Sequence, residues 1–360
     1  MDNGFPELDL RHLKRLTDRT GIIQHAVHAL PNYQTGYTTD DNARALLAAF
    51  QAYQQRQEPE VLGLAETYLG FLNYAQRADG KWHNFVDYTR CFLDEEGSED
   101  SFGRALWAVG YVAAAAPEHY LGRAARDMLE RALPWVPRLT YPRAKAFALL
   151  GLGYYYSLVP SDQVRDLVRM LADWFPTALK REETREWCWF EPFLTYSNAI
   201  LPAALVMAYL VTQHRPYWQA ATRALEFLTS LHLANGHLKL VGNKGWYFKN
   251  RRPAPFDEQP EDAGCLVLAY TMAYLASREP SYRQLAEKCF RWFLGQNELG
   301  VPLYDRESGG CFDGLTPEGV NPNRGAESLL AYLLSRLAVD GLNRAEQGEE
   351  QVGIPLAVPG

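Results

Sequence analysis

The stretch Thr38–Phe50 reads TTDDNARALLAAF, a polar cluster with two acids followed by an almost wholly apolar helical run. Five further stretches share this form, and they read SEDSFGRALWAVGY from Ser98, YPRAKAFALLGLGYYY from Tyr141, TYSNAILPAALVMAYL from Thr195, PEDAGCLVLAYTMAYLA from Pro260 and NRGAESLLAYLLSRLA from Asn323. A helix that is apolar nearly all round is buried. The six stretches therefore predict six buried helices, each with a polar N-terminal end.

Six amphipathic stretches alternate with the apolar ones. Each mixes apolar residues at helical spacing with Arg, Glu, Gln and Lys on the other face. They are Glu7–Thr20, Glu60–Arg77, Leu121–Val136, Ser161–Leu179, Pro216–His232 and Tyr282–Gln296. Because amphipathic and buried helices alternate six times, the sequence predicts an all-α fold, an (α/α)6 toroid or six-hairpin barrel with two concentric rings of helices.

The repeat also decides the domain organisation. A length of 360 residues by itself suggests about two domains, but a sixfold repeat closes into one. We therefore expect a single domain over residues 1–345. Residues 346–360 lack helical periodicity and are expected to form a C-terminal tail on the surface.

Three segments combine a glycine turn with alternating residues, which predicts short β-hairpin insertions. These segments are Ala78–Tyr88, Ala234–Asn243 and Leu299–Leu315. All three precede buried helices. We therefore expect them on the side of the ring where the polar N-terminal ends converge, which we call the mouth.

Composition argues against several classes of function. The net charge of -7 does not suit a nucleic-acid partner. The most apolar helix, near Ile200–Val211, contains Pro202 and is too short to span a membrane, and the opening MDNGFPELDLRHLKRL does not have the form of a secretory leader. Five scattered cysteines suit a reducing compartment, so a cytoplasmic location is expected. Metal and nucleotide motifs are missing, so we predict neither metal nor cofactor. The oligomeric state stays open.

The strongest chemical signal is an acidic pair at the start of three buried helices. Acids near a helix N-terminus contribute roughly 0.3–1 kcal/mol each, which explains one acid per helix but not two. Arg44 and Arg104 follow about one turn later and could pair with buried carboxylates. Arg143 and Lys145, on the third buried helix, could neutralise further acids or bind a substrate carboxylate. The pairs, all candidate catalytic residues, are Asp40 and Asp41, Glu99 and Asp100, and Glu261 and Asp262.

A second signal is the aromatic segment WCWFEPFLTYSN, residues Trp187–Asn198. Glu191 lies beside two aromatic rings, so its pKa could be raised as a general acid requires. Trp187, Trp189 and Tyr196 are candidates for substrate binding. The alternative is a buried aromatic plug in which Glu191 is a structural hydrogen-bond partner.

Other side chains near the predicted mouth are candidates for substrate binding. Trp82 and Trp246 could stack on sugar rings. Asp313 could instead cap a glycine-rich turn, and Glu327 could cap its helix. The full set is Tyr37, Arg44, Trp82, His83, Arg104, Trp187, Trp189, Tyr196, Trp246, Asp313 and Glu327.

The segment Ser98–Tyr111 resembles inner-helix segments of the six-hairpin glycosidases. The sequences of His12–Ala26 and Gly36–Ala49 also resemble a helical domain of bacterial polysaccharide gene neighbourhoods, sometimes labelled glycosyltransferase-associated. The first resemblance implies a glycoside hydrolase that cleaves a poly- or oligosaccharide with inversion. One carboxylic acid would then protonate the glycosidic oxygen while a carboxylate roughly 6.5–9.5 Å away activates water. The expected arrangement sets Asp40, Asp41, Glu99 and Asp100 on one side and Glu191, Glu261 or Asp262 on the other.

Two alternatives remain open. One is a non-catalytic carbohydrate-binding or scaffold domain associated with a glycosyltransferase, because fold does not fix function. The other is a sugar epimerase or isomerase, which in toroids of this kind uses histidines on inner helices. The eight histidines avoid all six apolar stretches, and they are His12, His25, His28, His83, His119, His214, His232 and His237.

Overall fold

The computed structural model describes residues 4–234 and 236–346, without the side chains of residues 345 and 346. Nearly all of its regular structure is helical. In chain order the α-helices of these residues are α1 (Arg11–Leu16), α2 (Thr39–Arg56), α3 (Pro59–Ala75), α4 (Glu99–Ala115), α5 (Tyr120–Ala132), α6 (Pro142–Leu158), α7 (Asp162–Ala172), α8 (Trp174–Glu182), α9 (Ile200–Thr212), α10 (Arg215–His232), α11 (Pro260–Ser277), α12 (Pro280–Phe290) and α13 (Ala326–Glu346).

Six of these helices form a closed inner ring. In order they are α2, α4, α6, α9, α11 and α13, each packed against the next, with α13 packed against α2. Helices α3, α5, α7, α10 and α12 each pack on the outside of the inner helix that precedes them, and α1 packs against α13. The predicted (α/α)6 toroid is therefore confirmed, since both rings and their pairing are present.

Several boundaries differ from those predicted. The first outer helix spans only Arg11–Leu16, and the fourth outer stretch is divided into α7 and α8 at Asp173. The fourth inner helix begins at Ile200, because Ser197 has a φ of 47°, a left-handed conformation that an α-helix cannot continue. Glu346, predicted to start the tail, is the last residue of α13, and residues 347–360 lie outside the described part of the chain.

The inner helices α4 and α6 approach each other through glycine. A Cβ atom on Gly110 would lie 2.4 Å from the carbonyl oxygen of Gly151, and one on Gly151 would lie 2.3 Å from that of Leu106. No side chain fits at such distances, so these glycines allow backbone-to-backbone packing within the ring.

The strands are all two residues long and form two-stranded antiparallel pairs in loops on the mouth side. The predicted hairpin within 299–315 is confirmed by β7 and β8. The other two segments behave differently, because the strand of 78–88 pairs with the loop before α2, and the described part of 234–243 contains no strand. The pairs are β1 (Ala26–Val27) with β2 (Leu30–Pro31), β3 (Tyr37–Thr38) with β4 (Phe85–Val86), β5 (Phe193–Leu194) with β6 (Tyr247–Phe248), β7 (Tyr304–Asp305) with β8 (Gly310–Cys311), and β9 (Leu315–Thr316) with β10 (Gly319–Val320).

These pairings join neighbouring loops of the mouth. The pair β3–β4 ties the approach to α2 to the approach to α4, and β5–β6 ties the approach to α9 to that of α11. The start of α2 is thereby fixed relative to that of α4, and the start of α9 relative to that of α11. Across the described residues, no helix combines the length and the apolar character needed to cross a membrane.

Candidate active site

Arg44 of α2 lies buried at the centre of the mouth. Its Nη1 donates to Glu261 Oε2 at 2.9 Å, while its Nη2 donates to Asp41 Oδ1 at 2.9 Å and to Glu327 Oε2 at 3.2 Å. The three acids belong to α11, α2 and α13. One guanidinium therefore joins three inner helices through charge-assisted hydrogen bonds.

Arg104 of α4 extends this network to the other side of Glu261. Its Nη2 donates to Glu261 Oε1 at 2.9 Å, and its Nε lies 2.8 Å from Asp40 Oδ1. The hydroxyl of Ser197 also donates to Glu261 Oε1, at 2.7 Å. The carboxylate of Glu261 is thus held between two arginines. We call this group the central cluster, and it consists of Asp40, Asp41, Arg44, Arg104, Glu261 and Glu327.

Arg143 of α6 belongs to a second, adjoining network. Its three guanidinium nitrogens donate to Glu191 Oε2 at 2.8 Å, to the carbonyl of Tyr196 at 2.6 Å and to Asn198 Oδ1 at 3.2 Å. The hydroxyl of Tyr196 donates to Asp100 Oδ2 at 2.6 Å. Arg143 is therefore engaged by the protein and is not free to bind a substrate carboxylate.

The other cation of α6 is engaged as well. The ammonium group of Lys145 donates to the carbonyl of Leu139, and burial lowers its pKa. Neither Arg143 nor Lys145 reaches the central cluster, although both were predicted to neutralise acids or to bind a substrate carboxylate. The reason is that α6 presents Arg143 to the loop before α9 and Lys145 to the loop before its own start.

Burial and charge divide the carboxyl groups of the mouth. Burial acts to raise the pKa of Glu261, but Arg104 and Arg44 outweigh it and lower that pKa to about 2. For Asp262, burial and the charge of Glu261 raise the pKa to about 8. For Asp41, burial raises the pKa to about 7 against the opposing effect of Arg44. At neutral pH the mouth can thus hold ionised and protonated carboxyl groups side by side, as acid and base catalysis requires.

Glu191 has the raised pKa that its aromatic surroundings predict. The shift results from burial, which exceeds the opposing effect of its ion pair with Arg143. Its backbone carbonyl accepts a hydrogen bond from Trp187 Nε1 at 2.9 Å. The loop is therefore a packed aromatic segment as well as the carrier of a perturbed acid.

Two carboxylates of the central cluster remain accessible to solvent. The side chain of Asp40 is 29% exposed and that of Glu327 is 52% exposed. Both approach the same atom, because Arg44 Nη2 lies 3.7 Å from Asp40 Oδ1 and 3.2 Å from Glu327 Oε2. Desolvation among the packed mouth residues raises the pKa of Glu327 despite the nearby Arg44. These two acids are the ones in the cluster that a ligand in the mouth can best reach.

Several aromatic residues predicted to bind substrate are buried. The side chain of Trp82 is 1% exposed, and its Nε1 donates to the carbonyl of Leu72. Trp187 and Trp189 are buried within the aromatic segment, and Tyr37 is buried with its hydroxyl donating to Asp18. These rings offer no open face to a sugar, so their prediction as binding residues is corrected.

Glu99 and His83 also have other partners. The carboxylate of Glu99 accepts hydrogen bonds from the backbone N–H groups of Thr140 and Tyr141 at 2.7 and 2.9 Å, which caps the start of α6. The ring of His83 stacks on Phe92 at a centroid distance of 4.0 Å. Neither side chain is bonded to the central cluster.

The two remaining candidates lie at the rim of the mouth. Asp313 accepts a hydrogen bond from the backbone N–H of Gly325, just before α13, at 2.6 Å, and so has a structural partner outside its own glycine-rich segment. Trp246 is partly exposed beside β6. Of the two tryptophans predicted to stack on sugar rings, Trp246 therefore has exposed surface, whereas Trp82 is buried.

Sequence reasoning missed two polar residues of the site. Ser197 bonds to Glu261, and the amide nitrogen of Asn198 lies 3.4 Å from Asp262 Oδ1. Both belong to the quoted stretch from Thr195. A single serine or asparagine in a loop carries no spacing signal, so only the fold assigns it to the site.

The described residues contain no group of three or more His, Cys, Asp or Glu side chains placed to hold a metal ion. All eight histidines lie in the described ranges, and none of them is on an inner helix. The site is therefore built from carboxylates, guanidinium groups and hydroxyls.

Comparison with solved structures places this chain among toroids of the same kind. It is similar to a cellobiose 2-epimerase from Spirochaeta thermophila DSM 6192, with a TM-score of 0.70, 16% identity and coverage of 93% of each chain. It is also similar to a sugar epimerase from a ruminal bacterium, with a TM-score of 0.74, 11% identity and coverage of 93% of this chain and 95% of the other. A GH76 α-1,6-mannanase from Salegentibacter sp. HEL1_6 has a TM-score of 0.66, 12% identity and coverage of 92% and 96%.

Identities this low establish a shared fold, the (α/α)6 toroid, and nothing finer. No family model matches the chain, and no curated protein matches its sequence.

Proposed function

We propose that this protein is a carbohydrate-active enzyme, and specifically a glycoside hydrolase. The observation that carries the proposal is the pair of solvent-accessible carboxylates, Asp40 and Glu327, that share Arg44 Nη2 at the mouth of the toroid. Glycosidases use two carboxyl groups with unequal roles at the scissile bond. The GH76 mannanases of the same fold support hydrolysis as the reaction.

The two acids differ in the way that such a reaction requires. The raised pKa of Glu327 suits it to donate a proton to the glycosidic oxygen. Asp40, ion-paired with Arg104, suits the role of nucleophile. Asp40 would attack the anomeric carbon as the bond to the leaving oxygen breaks and Glu327 protonates that oxygen. Water would then displace Asp40 from the sugar, with Glu327 accepting the proton.

The short distances around Arg44 are compatible with this retaining course, whereas the resemblance to six-hairpin glycosidases implied inversion. The two oxygens lie 3.7 and 3.2 Å from one nitrogen, so their separation cannot exceed those two distances combined. Retaining enzymes have carboxyl groups roughly 5–5.5 Å apart, and inverting enzymes roughly 6.5–9.5 Å apart. This limit, which applies to the two arginine-facing oxygens, includes the retaining range, and we propose net retention with Asp40 as the nucleophile.

The charges of the mouth favour a neutral sugar as substrate. Arg44, Arg104 and Arg143 are all paired with protein carboxylates. A uronic acid would need to displace one of these pairs, whereas the hydroxyl groups of a neutral sugar can bond to Asp40 and Glu327 directly. Trp246 at the rim is the candidate stacking surface.

Epimerases share the fold, but the position of the histidines supports hydrolysis instead. Proton abstraction in such toroids is expected from histidines on the inner helices, and here those helices carry none within the described residues. A non-catalytic glycan-binding domain would use the same mouth without product release.

A panel of neutral oligosaccharides, with products followed by chromatography and by anomer-resolved NMR, tests the proposal. We expect a cleaved product with retained anomeric configuration. Replacing Glu327 by Gln should lower turnover about 10³-fold, the effect typical of losing an acid or base. Replacing Asp40 by Asn removes the nucleophile and should lower turnover at least as much. The matched controls are Asp162→Asn in α7 and Glu60→Gln in α3, which change exposed first-turn acids of outer helices.

Three outcomes would contradict this assignment. Full turnover in both mouth variants would remove Asp40 and Glu327 from the reaction. Inverted product would rule out their proposed roles even if both are essential. Epimerised rather than shortened sugars, or saturable binding without any product, would replace hydrolysis by one of the two alternatives.

A further inference from the structure

A cavity lies inside the ring, on the side of the central cluster away from the mouth. It contains about 880 Å³ of empty space, part of which is open to solvent. Arg44, Arg104 and Glu261 form its roof. We call it the chamber, and its walls include Trp107, Phe147, Tyr154, Leu268, Leu275 and Leu334.

The chamber is long and follows α11. Its lining runs from Glu261, in the first turn of that helix, to Leu275 near its end. Fourteen residues of α-helix correspond to roughly 21 Å. Gly341, which is late in α13, also lines it. The chamber thus reaches the ends of the inner helices opposite to the mouth.

The walls expose apolar surface inside the protein. Leu268 and Leu334 lie in the inner helices, yet both are only partly buried, whereas most apolar residues of those helices are fully buried. Protein interiors are normally packed without such gaps. Cavities lined by apolar side chains tend to bind apolar ligands rather than water.

One polar atom in this lining has no partner. Thr271 is 2% exposed, and its Oγ1 makes no hydrogen bond to any described residue. Other threonines inside helices of this chain donate to the carbonyl four residues earlier, as Thr212 does to Ala208 and Thr229 does to Leu225. A buried hydroxyl without a partner is destabilising, because it has lost its hydrogen bonds to water and made none in their place. Thr271, which lines the chamber, therefore lacks the hydrogen bond that Thr212 and Thr229 make to the carbonyl four residues earlier.

We propose that the chamber binds an elongated apolar molecule that carries one neutral oxygen function, the class of long-chain alcohols. The oxygen would bond to Thr271 Oγ1, and the alkyl chain would extend toward Trp107 and Phe147 under the roof. An anionic headgroup fits less well, because the cations of the roof are already paired with Glu261 and other acids. This inference does not depend on the reaction at the mouth.

Calorimetric titration of the full chain with decan-1-ol and with decanoate tests the proposal. We expect one saturable site for decan-1-ol with a negative heat-capacity change, and at least tenfold weaker binding of decanoate. Thr271→Val should weaken decan-1-ol binding about tenfold, corresponding to one lost hydrogen bond. The same variant should melt at a slightly higher temperature without ligand, because an unpaired hydroxyl is removed.

The matched control is Thr229→Val, which changes a helical threonine outside the chamber and should leave affinity within about twofold. Leu268→Trp fills the chamber and should abolish binding. If that larger side chain prevents folding, Thr271→Val still tests the site. The proposal is overturned if decan-1-ol shows no saturable binding, if decanoate binds more tightly, or if Thr271→Val binds as the wild type does. Binding that occurs only after deletion of residues 347–360 would also overturn it, since the chain itself would then be the occupant.

Discussion

The starts of α2 and α4 resemble each other in sequence but differ in what their acids do. Asp40 and Asp41 both approach Arg44 in the central cluster. In α4, Glu99 caps the neighbouring helix α6, and Asp100 accepts a hydrogen bond from Tyr196. The two arginines nevertheless occupy equivalent places, because Arg44 and Arg104 both bond to Glu261.

One residue of spacing accounts for this difference. The second acid precedes its arginine by three residues in α2 and by four in α4. Each residue turns an α-helix by roughly 100°, so the acid pair is rotated relative to the arginine. Matched by their arginines, Asp40 corresponds to Asp100, and Glu99 corresponds to Thr39. Similar motifs at the starts of neighbouring helices therefore have different roles. The acids of α2 belong to the central cluster, whereas Glu99 of α4 caps α6.

The largest expected effect comes from removing the arginines. Arg44→Met leaves Asp41, Glu261 and Glu327 without a shared cation, and loss of one partner of a buried ion pair costs about 3–5 kcal/mol. Arg104→Met should cost less, because it removes the cation from two carboxylates, Asp40 and Glu261, and Glu261 keeps its pair with Arg44. Urea denaturation of both variants measures the difference, and equal losses would mean that the two helices contribute equally to the cluster.

The next effect is a pH dependence that arises in α2. The pKa of Asp41 is raised from 3.8 to about 7, so between these values the folded protein keeps a proton that the unfolded chain has lost. Wild-type stability should therefore fall as pH rises from about 4 to about 7. Asp41→Asn removes this titration. Its free energy of unfolding should therefore increase relative to that of the wild type as pH rises from about 4 to about 7, by an amount on the order of a few kcal/mol.

Thermal melts at a series of pH values measure this gain. Ser98→Ala, at the start of α4, removes no titratable group and should follow the wild-type profile. A constant difference between Asp41→Asn and the wild type from pH 4 to 8 would show that Asp41 does not carry the proton.

A smaller effect separates the two N-caps. Thr38 Oγ1 accepts a hydrogen bond from the backbone N–H of Asp41 and also donates to the carboxylate of Asp41 at 2.8 Å in a buried setting. Ser98 caps α4 at an exposed position. Loss of an N-cap costs about 0.5–2 kcal/mol. In urea denaturation we expect the loss of unfolding free energy to lie near the upper limit for Thr38→Ala and near the lower limit for Ser98→Ala. A larger loss for Ser98→Ala would contradict the buried role of Thr38.

The smallest effect is expected at Glu99. Glu99→Gln keeps an acceptor for the N–H groups of Thr140 and Tyr141 but loses the favourable charge at the start of α6, worth about 0.3–1 kcal/mol. The loss should shrink at high salt. A large, salt-independent loss would indicate that Glu99 has a buried partner after all.

Much of the fold was predictable from the alternation of apolar and amphipathic stretches. Periodicity identified all six inner helices. Doubled acids marked α2 and α11, which carry central carboxylates, but also α4, where Glu99 caps α6 and Asp100 bonds to Tyr196 instead. The break at Ser197 and the pairing of β3 with β4 were not predictable, because both depend on contacts between loops far apart in sequence. The tryptophans show the same limit, since Trp82 and Trp246 look alike in sequence but one is buried and the other partly exposed.

The sequence by itself determined that six apolar helices with polar starts are buried, because helices that are apolar nearly all round are unfavourable in water. It also determined that acids and arginines lie at those starts. Only the tertiary structure decided which acid meets which arginine, since the rotation of each helix and its neighbours sets those distances. It also decided which acids water can reach: Asp40 and Glu327 are accessible, whereas Asp41 and Glu261 are enclosed.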